Sequence, residues 1–241
     1  MNDQERLDDL IIDGLQIYQR SDMFRFSFDA IALIHFCRFN GRHTYVDLGT
    51  GSGVMPLIGT SLGAGHITGI EINETLVELA KRSVEHNRKQ DVVNILCGDY
   101  RHMTYRDIQD KPFDGVIVNP PFYDCESGAK PTSEERTLAL HDGHTTLCDV
   151  LKAVQSFIKC KGRLWMIYSA CRLQYVLHEL EAANFQAKRI RFIHGMVDKP
   201  AKLVLIEALY QGQPGLVLEP PLIVYEKPNV YTKEVSSWYE R

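Results

Sequence analysis

The run Asp47-Leu48-Gly49-Thr50-Gly51-Ser52-Gly53 joins an apolar β-type segment, Thr44–Leu48, to an apolar stretch over Val54–Leu62, and it narrows the possible folds more than any other feature. Glycine at every second position lets a turn adopt left-handed backbone angles and leaves space where side chains would stand. Set after a strand and before a helix, such a turn belongs to a βαβ unit, which places parallel strands in one sheet with helices on its faces.

The same rhythm continues along the chain. After Gly63-Ala-Gly65 a second strand is predicted over His66–Ile72, then a helix over Glu74–Arg88 with Asn73 as N-cap and a Leu76, Leu79, Ala80, Val84 stripe at helical spacing. Strands follow at Val92–Cys97 and Asp114–Val118, a helix at Leu147–Cys160, a strand at Gly162–Tyr168 and a helix at Arg172–Asn184. The last two strands, Ala187–Ile193 and Lys202–Leu209, flank Pro200 too closely for a crossover helix and are therefore antiparallel. The expected architecture is a Rossmann-like α/β domain: seven mostly parallel strands, a terminal antiparallel hairpin and helices on both faces. It spans residues 43–210, preceded by an arm and helix at 1–42 that contribute to the cofactor site and followed by an extension at 211–241 packed on the same domain.

A length of 241 residues suits one such domain, and 44% hydrophobic with 24% charged residues is ordinary for a globular protein. The N-terminus is polar and no apolar run reaches the roughly 20 residues of a membrane helix, so a cytoplasmic protein without membrane association is expected. Six scattered cysteines without a CxxC pair indicate neither a zinc site nor a disulfide framework and read as mostly buried thiols. The net charge of −4 argues against indiscriminate nucleic-acid binding, yet ten Lys/Arg face four Asp/Glu between Lys152 and Tyr210. That excess reads either as a solvated basic face or as a phosphate-contacting surface, with Lys188, Arg189, Arg191, Lys199 and Lys202 as candidates.

Asn119-Pro120-Pro121-Phe122 begins where the Asp114–Val118 strand ends. In isolation it reads as a stiff turn with a core phenylalanine; after the fourth strand of this layout it reads as a site for a planar amide or amino nitrogen. Such a nitrogen is a poor nucleophile because its lone pair is delocalised. The Asn119 side-chain carbonyl and the Pro120 backbone carbonyl can accept both of its hydrogens, the prolines make a rigid wall without donors, and Phe122 offers a stacking face. This chemistry calls for a methyl donor, S-adenosyl-L-methionine, with S-adenosyl-L-homocysteine as product and no metal. Gly49, Gly51 and Gly53 permit close approach of that cofactor. Glu71 can take both ribose hydroxyls, Ile72 can pack on the adenine, Asp99 can accept from its amine, Tyr100 can add a contact, and Asp47 can orient the turn or meet the methionine ammonium. A nicotinamide cofactor fits less well, because Val54 stands where a pyrophosphate-binding GxGxxG has its third glycine. His141 and His144 in the polar 123–146 stretch lack a third ligand at a suggestive spacing, which favours a loop contact over a metal site.

These motifs, with the arm Gln19–Ala30, Arg163–Arg172, Lys188–Arg191, Pro200–Glu207, and the tail Pro220–Tyr225 with Tyr231–Glu234, resemble the tRNA1(Val) adenine-N6 methyltransferase family over nearly the whole chain. The resemblance implies methylation of N6 on the adenosine immediately 3′ of the anticodon of a valine tRNA. It also implies that Phe26, Ser27 and the following residues to Asp29 close over the methionine end of the cofactor. Tyr stands in place of Phe122 in the related protein-glutamine methyltransferases, which also carry a longer helical domain ahead of the catalytic one. The alternatives are accordingly a protein glutamine N5-methyltransferase and a cofactor-bound RNA-binding factor with little turnover. The expected partner is tRNA, with no protein partner required and a monomer or weak homodimer.

Overall fold

The structure is a computed structural model that describes residues 5–21, 27–120 and 145–239. Its centre is a sheet in the order β10-β8-β9-β7-β6-β3-β4-β5, with β11 also paired to β8. The strands are β3 (Thr44–Leu48), β4 (His66–Glu71), β5 (Val93–Cys97), β6 (Phe113–Val118), β7 (Ile158–Ser169), β8 (Phe185–His194), β9 (Ala201–Tyr210), β10 (Val217–Leu218) and β11 (Leu222–Ile223). All seven predicted strands are present, and β9 runs antiparallel to both neighbours. The sheet is wider than expected: β10 and β11 extend it by pairing in parallel with β8. Two-residue strands have no period of their own in sequence; only the free edge of β8 selects them.

Helices α1 (Phe28–Phe36), α2 (Val54–Ser61), α3 (Glu74–His86), α4 (Leu147–Phe157) and α5 (Leu173–Ala182) cover the sheet. The predicted cap of α3 forms, Asn73 accepting from the N–H groups of Thr75 and Leu76 at 3.0 and 3.2 Å. Its buried stripe is Val77, Leu79, Ala80, Ser83 and Val84, so Leu76 is displaced from the predicted one. Helix α4 ends earlier than its pattern suggested, because Ile158 already pairs with Phe113 of β6. Lys159–Gly162 then bulge out, Lys161 taking a φ of 58°, before Arg163 rejoins opposite Gly115.

The N-terminal arm contains a hairpin absent from the sequence expectation, β1 (Glu5–Asp9) with β2 (Gln16–Arg20), tied to α3 by Tyr18 N–H donating to Ser83 Oγ at 2.9 Å. The C-terminal extension adds a small hairpin, β12 (Tyr225–Lys227) with β13 (Val230–Tyr231), and the short α6 (Lys233–Ser236). Trp238 stacks on His35 of α1 at 4.6 Å, so the C-terminal extension packs on that helix. The cysteine expectation needs correction. Of the free thiols among the described residues only Cys37 is buried, Cys97 and Cys160 standing exposed at a strand end and in the β7 bulge, while Cys171 is disulfide-bonded.

Candidate active site

Sheet register explains how residues far apart in sequence become neighbours. Leu48 pairs with Ile70 of β4 on one side and with Val118 of β6 on the other. Gly49, Glu71 and Asn119 are each the next residue, so they stand in one row at the carboxyl ends of three strands spaced about 4.8 Å apart. Between β3 and β6 the chain reverses its direction of winding across the sheet, and a crevice opens there outside the strand ends. A cavity of about 480 Å³ occupies it, lined by Ser27, Asp29 and Ala30 of the arm, by Gly49–Ser52, Val54 and Met55, by Glu71 and Leu76, and by Asn119 and Pro120. That volume is ordinary for a nucleoside-sized ligand.

The glycine turn has the left-handed backbone its composition suggested, with φ of 78°, 57° and 81° at Gly49, Gly51 and Gly53. Two backbone bonds hold it: Gly49 and Thr50 N–H both donate to Ile70 O, at 2.9 and 3.0 Å. The Glu71 carboxylate is fixed from two sides, Oε2 accepting from Gly51 N–H and Oε1 from Asn73 N–H, each at 2.9 Å. Each oxygen keeps a second lone pair for a ligand hydroxyl. Behind the turn Asp47 is fully buried, and among the described residues neither of its oxygens, nor the Thr50 hydroxyl, has a hydrogen-bond partner. Burial pushes the Asp47 carboxyl up to about 7; the adjacent Thr50 hydroxyl works against that rise and the Glu71 charge adds to it. Burial likewise raises Asp29, against the pull of Ser27. The donor-rich turn and a bidentate carboxylate fit a ligand carrying ribose hydroxyls, and Asp29 is the other carboxyl in the lining, whereas Asp47 lies behind the turn outside it.

Of the predicted cofactor residues, Ser27, Gly49, Gly51 and Glu71 line this cavity, as do Asn119 and Pro120 of the transfer motif. Gly53 caps α2 beside it, and Tyr100 stands within reach of Gly49, where a Cβ would lie 4.0 Å from the ring. Ile72 is 60% exposed outside the lining. Asp99 is engaged by Arg101, whose Nη2 donates at 2.6 Å, and that hydrogen bond, ahead of the opposing effect of burial, holds the Asp99 carboxyl below its ordinary value. Phe26, Pro121, Phe122, His141 and His144 lie outside the described residues. Sequence reading missed Thr50, Ser52, Met55 and Leu76; position inside the turn signalled the first two, whereas Leu76 looked like a core residue by its spacing.

The basic candidates divide. Arg189 is no surface contact: it is buried, donates to Glu207 at 2.8 Å, to Glu219 at 3.0 Å and to Phe36 O at 2.6 Å, and lies over the Phe36 ring. The pairing Arg189↔Glu207 across β8 and β9 makes this an internal ion pair, which Arg163 and Trp165 complete from β7. Burial alone would raise Glu207, but Arg189, Arg163 and Trp165 together hold it below the carboxylate range. Arg191 grips Glu234 with two bonds of 2.6 and 2.7 Å and Lys188 donates to Gln213 O, so both fasten the C-terminal extension. Lys199 and Lys202 are exposed at the sheet end that carries Asn119, because His194 pairs with Ala201 and Ser169 with Leu203 there. Among the described residues no helix is long and apolar enough to cross a membrane, and no cluster of three or more metal-ligating side chains occurs.

Comparison with known proteins agrees with this geometry. A family model described as a methyltransferase domain matches residues 40–212. The chain is 27% identical over 198 residues, 81% of its length and 80% of the relative's, to the tRNA1(Val) (adenine(37)-N6)-methyltransferase of Trichodesmium erythraeum. It is 28% identical to the protein of the same name from Bacteroides thetaiotaomicron over 58% of this chain and 57% of that one. Among solved structures, a predicted O-methyltransferase from Agrobacterium tumefaciens superposes with a TM-score of 0.67 at 19% identity, covering 88% of this chain and 95% of that chain. With the cavity at the switch point and the match over residues 40–212 in agreement, the chain belongs to the methyltransferase-domain family and is an S-adenosylmethionine-dependent methyltransferase.

Proposed function

We propose that this enzyme methylates N6 of an adenosine in tRNA and, following the relatives of that name, adenosine 37 of a valine tRNA. The observation that carries the reading is that Asn119 and Pro120 line the same cavity as the glycine turn and Glu71. S-adenosylmethionine, when bound, supplies an electrophilic methyl group on its sulfonium. Glu71 would accept from the ribose hydroxyls, the Gly49–Gly53 turn would let the backbone approach, Ser27 and Asp29 would be available to the methionine end, and Asp47 would orient the turn from behind. Tyr100 and Asp99 stand on the adenine side, and Ile72 is the apolar candidate there.

On the acceptor side, Asn119 Oδ1 and the Pro120 carbonyl would accept hydrogen bonds from the two amino N–H groups of an extruded adenine, and the methylated nitrogen would then release one proton to solvent as S-adenosylhomocysteine is left behind. Accepting both draws nitrogen out of the ring plane and turns its lone pair toward the methyl group. Pro121 stiffens this wall and Phe122 stacks on the base in the proposed arrangement. Orientation of two reactants in one cavity supplies most of the acceleration, because transfer to a positioned nitrogen needs no strong base. Lys199 and Lys202 are the remaining phosphate contacts.

The test is incubation of the purified protein with labelled S-adenosylmethionine and tRNA from cells lacking this activity, followed by nucleoside analysis. N6-methyladenosine in tRNA is the expected product; label on protein glutamine with none in RNA would overturn the acceptor assignment. Asn119→Ala should bind cofactor normally and lose about a hundredfold or more in kcat. Turnover near that of the wild type would remove Asn119 from the mechanism.

A further inference from the structure

The two chain ends build a column of aromatic rings beside the cavity. Tyr225 and Tyr231 lie nearly parallel, 5.1 Å apart with 13° between planes; Tyr231 continues to Tyr239 at 5.9 Å and 16°, and to Phe28 at 6.5 Å and 21°. Phe28 is the first residue of α1, and its neighbours Ser27 and Asp29 line the cavity. The column therefore runs outward from the rim of the reaction site. At these separations parallel rings are slipped past one another, so part of each face stays uncovered. Tyr231 is 38% exposed.

Phe28 also stacks on Trp238 at 6.0 Å and 22°, and Phe28, Tyr225 and Tyr239 pack against the core, so the column shares in fastening the tail, which further contacts hold as well. Val224 and Val235 are buried, Trp238 stacks on His35, Arg191 holds Glu234, and Thr232 Oγ1 donates to Ile223 O at 2.8 Å. Cations flank the column: Tyr225 N–H donates to Gly195 O at the start of the turn that carries Lys199, and Lys227 is exposed in β12. An exposed Tyr231 among partly buried parallel rings, with Lys199 and Lys227 exposed on neighbouring segments, suits an unstacked nucleobase on a phosphate chain.

We infer that Phe28, Tyr231 and Tyr225 form a stacking platform for single-stranded RNA bases flanking the acceptor adenosine. The inference rests on the proposed RNA reading and assigns a substrate role to the C-terminal extension. An adenine drawn into the cavity leaves its neighbours without a stacking partner, and the column replaces it. Burial raises the Tyr231 and Tyr239 phenols, Tyr239 to about 12, so both remain donors near phosphate.

Wild-type methylation of tRNA is measured first; its absence strikes the RNA reading itself. Given methylation, the Tyr225→Ala/Tyr231→Ala variant of the full chain should raise KM for tRNA about ten- to hundredfold, the loss expected for one or two base–aromatic stacks, with kcat and cofactor affinity unchanged. Phe at both positions should restore it, since stacking and not the hydroxyl is required. An unchanged KM in the alanine variant would overturn the platform. Should that variant fail to fold, wild-type protein photocrosslinked to tRNA with 5-iodouridine in the loop bearing the acceptor decides. Crosslinks at Tyr225 or Tyr231 are expected, and crosslinks solely elsewhere would overturn the inference.

Discussion

Asparagine in place of Asp47 should remove much of the pH dependence of this protein's stability. Asp47 is fully buried in β3 between Gly69 of β4 and Ile117 of β6, and its carboxyl rises from the ordinary 3.8 to about 7. Between those two values the folded protein retains a proton that the unfolded chain has released. The contribution of Asp47 to stability is therefore greatest below about pH 4, falls as pH rises to about 7 and is level above it, at about 1.4 kcal/mol per pH unit within the window. The full cost of ionising Asp47 in the fold is about 4 kcal/mol, of which about 3 kcal/mol is incurred between pH 5 and 8. Asparagine keeps the shape but does not titrate. Its buried amide carries its own desolvation cost of about 1–3 kcal/mol, so the absolute stabilities are less informative than their difference across pH. Urea unfolding of both proteins at pH 5, 6, 7 and 8 isolates that difference, because Asp29, Glu207 and every other shifted group is common to both. The wild type should lose about 3 kcal/mol more than Asp47→Asn over this range. Parallel curves would show that Asp47 ionises at an ordinary pH in the fold and that its burial is not the controlling fact.

Glu207→Gln should leave the Arg189 guanidinium, 9% exposed, with only Glu219 as a charged partner, and breaking such a buried pair costs about 3–5 kcal/mol. Differential scanning calorimetry should record a fall of about 6–20 °C in Tm, and a shift under about 2 °C would mean that Glu219 alone suffices. Gly69→Ala would place a Cβ 2.7 Å from Thr50 Cγ2 and 2.9 Å from Ile95 Cδ1. Overpacking of this kind costs about 1–3 kcal/mol and here displaces the cofactor turn itself, so titration calorimetry should find cofactor affinity reduced about tenfold; unchanged affinity would mean that Ile95 yields and Thr50 stays in place.

The strands of the βαβ core were legible because each is a short apolar run ending at a glycine, an N-cap or a proline, and such local signals survive without tertiary context. Thr44–Leu48 with its glycine turn, the Asn73 cap and the antiparallel return after Pro200 are of this kind. The hairpin β1–β2 carried a local signal that went unread, Asp13-Gly14 at φ of 48° and 66° with Leu15 N–H donating to Ile12 O, whereas the strands β10 and β11 carried none. These two-residue segments become strands only because the edge of β8 offers them a partner. Leu76 was misread for a related reason: helical spacing says that a residue faces inward, not whether core or cavity lies there.

Charge was the least legible property. Arg189 and Arg191 sit in the same basic run as Lys199 and Lys202, but strand register sets Arg189 opposite Glu207, and Glu234 returns from the tail to meet Arg191. A count along the chain cannot show that a cation meets a carboxylate 18 or 43 residues away. By itself the sequence determined which chemical groups were present: a glycine turn, a carboxylate twenty residues beyond Gly51, and an Asn-Pro pair at a strand end. The tertiary structure alone decided that they share a cavity, because Leu48, Ile70 and Val118 are paired across three strands and the residue after each must emerge in the same row.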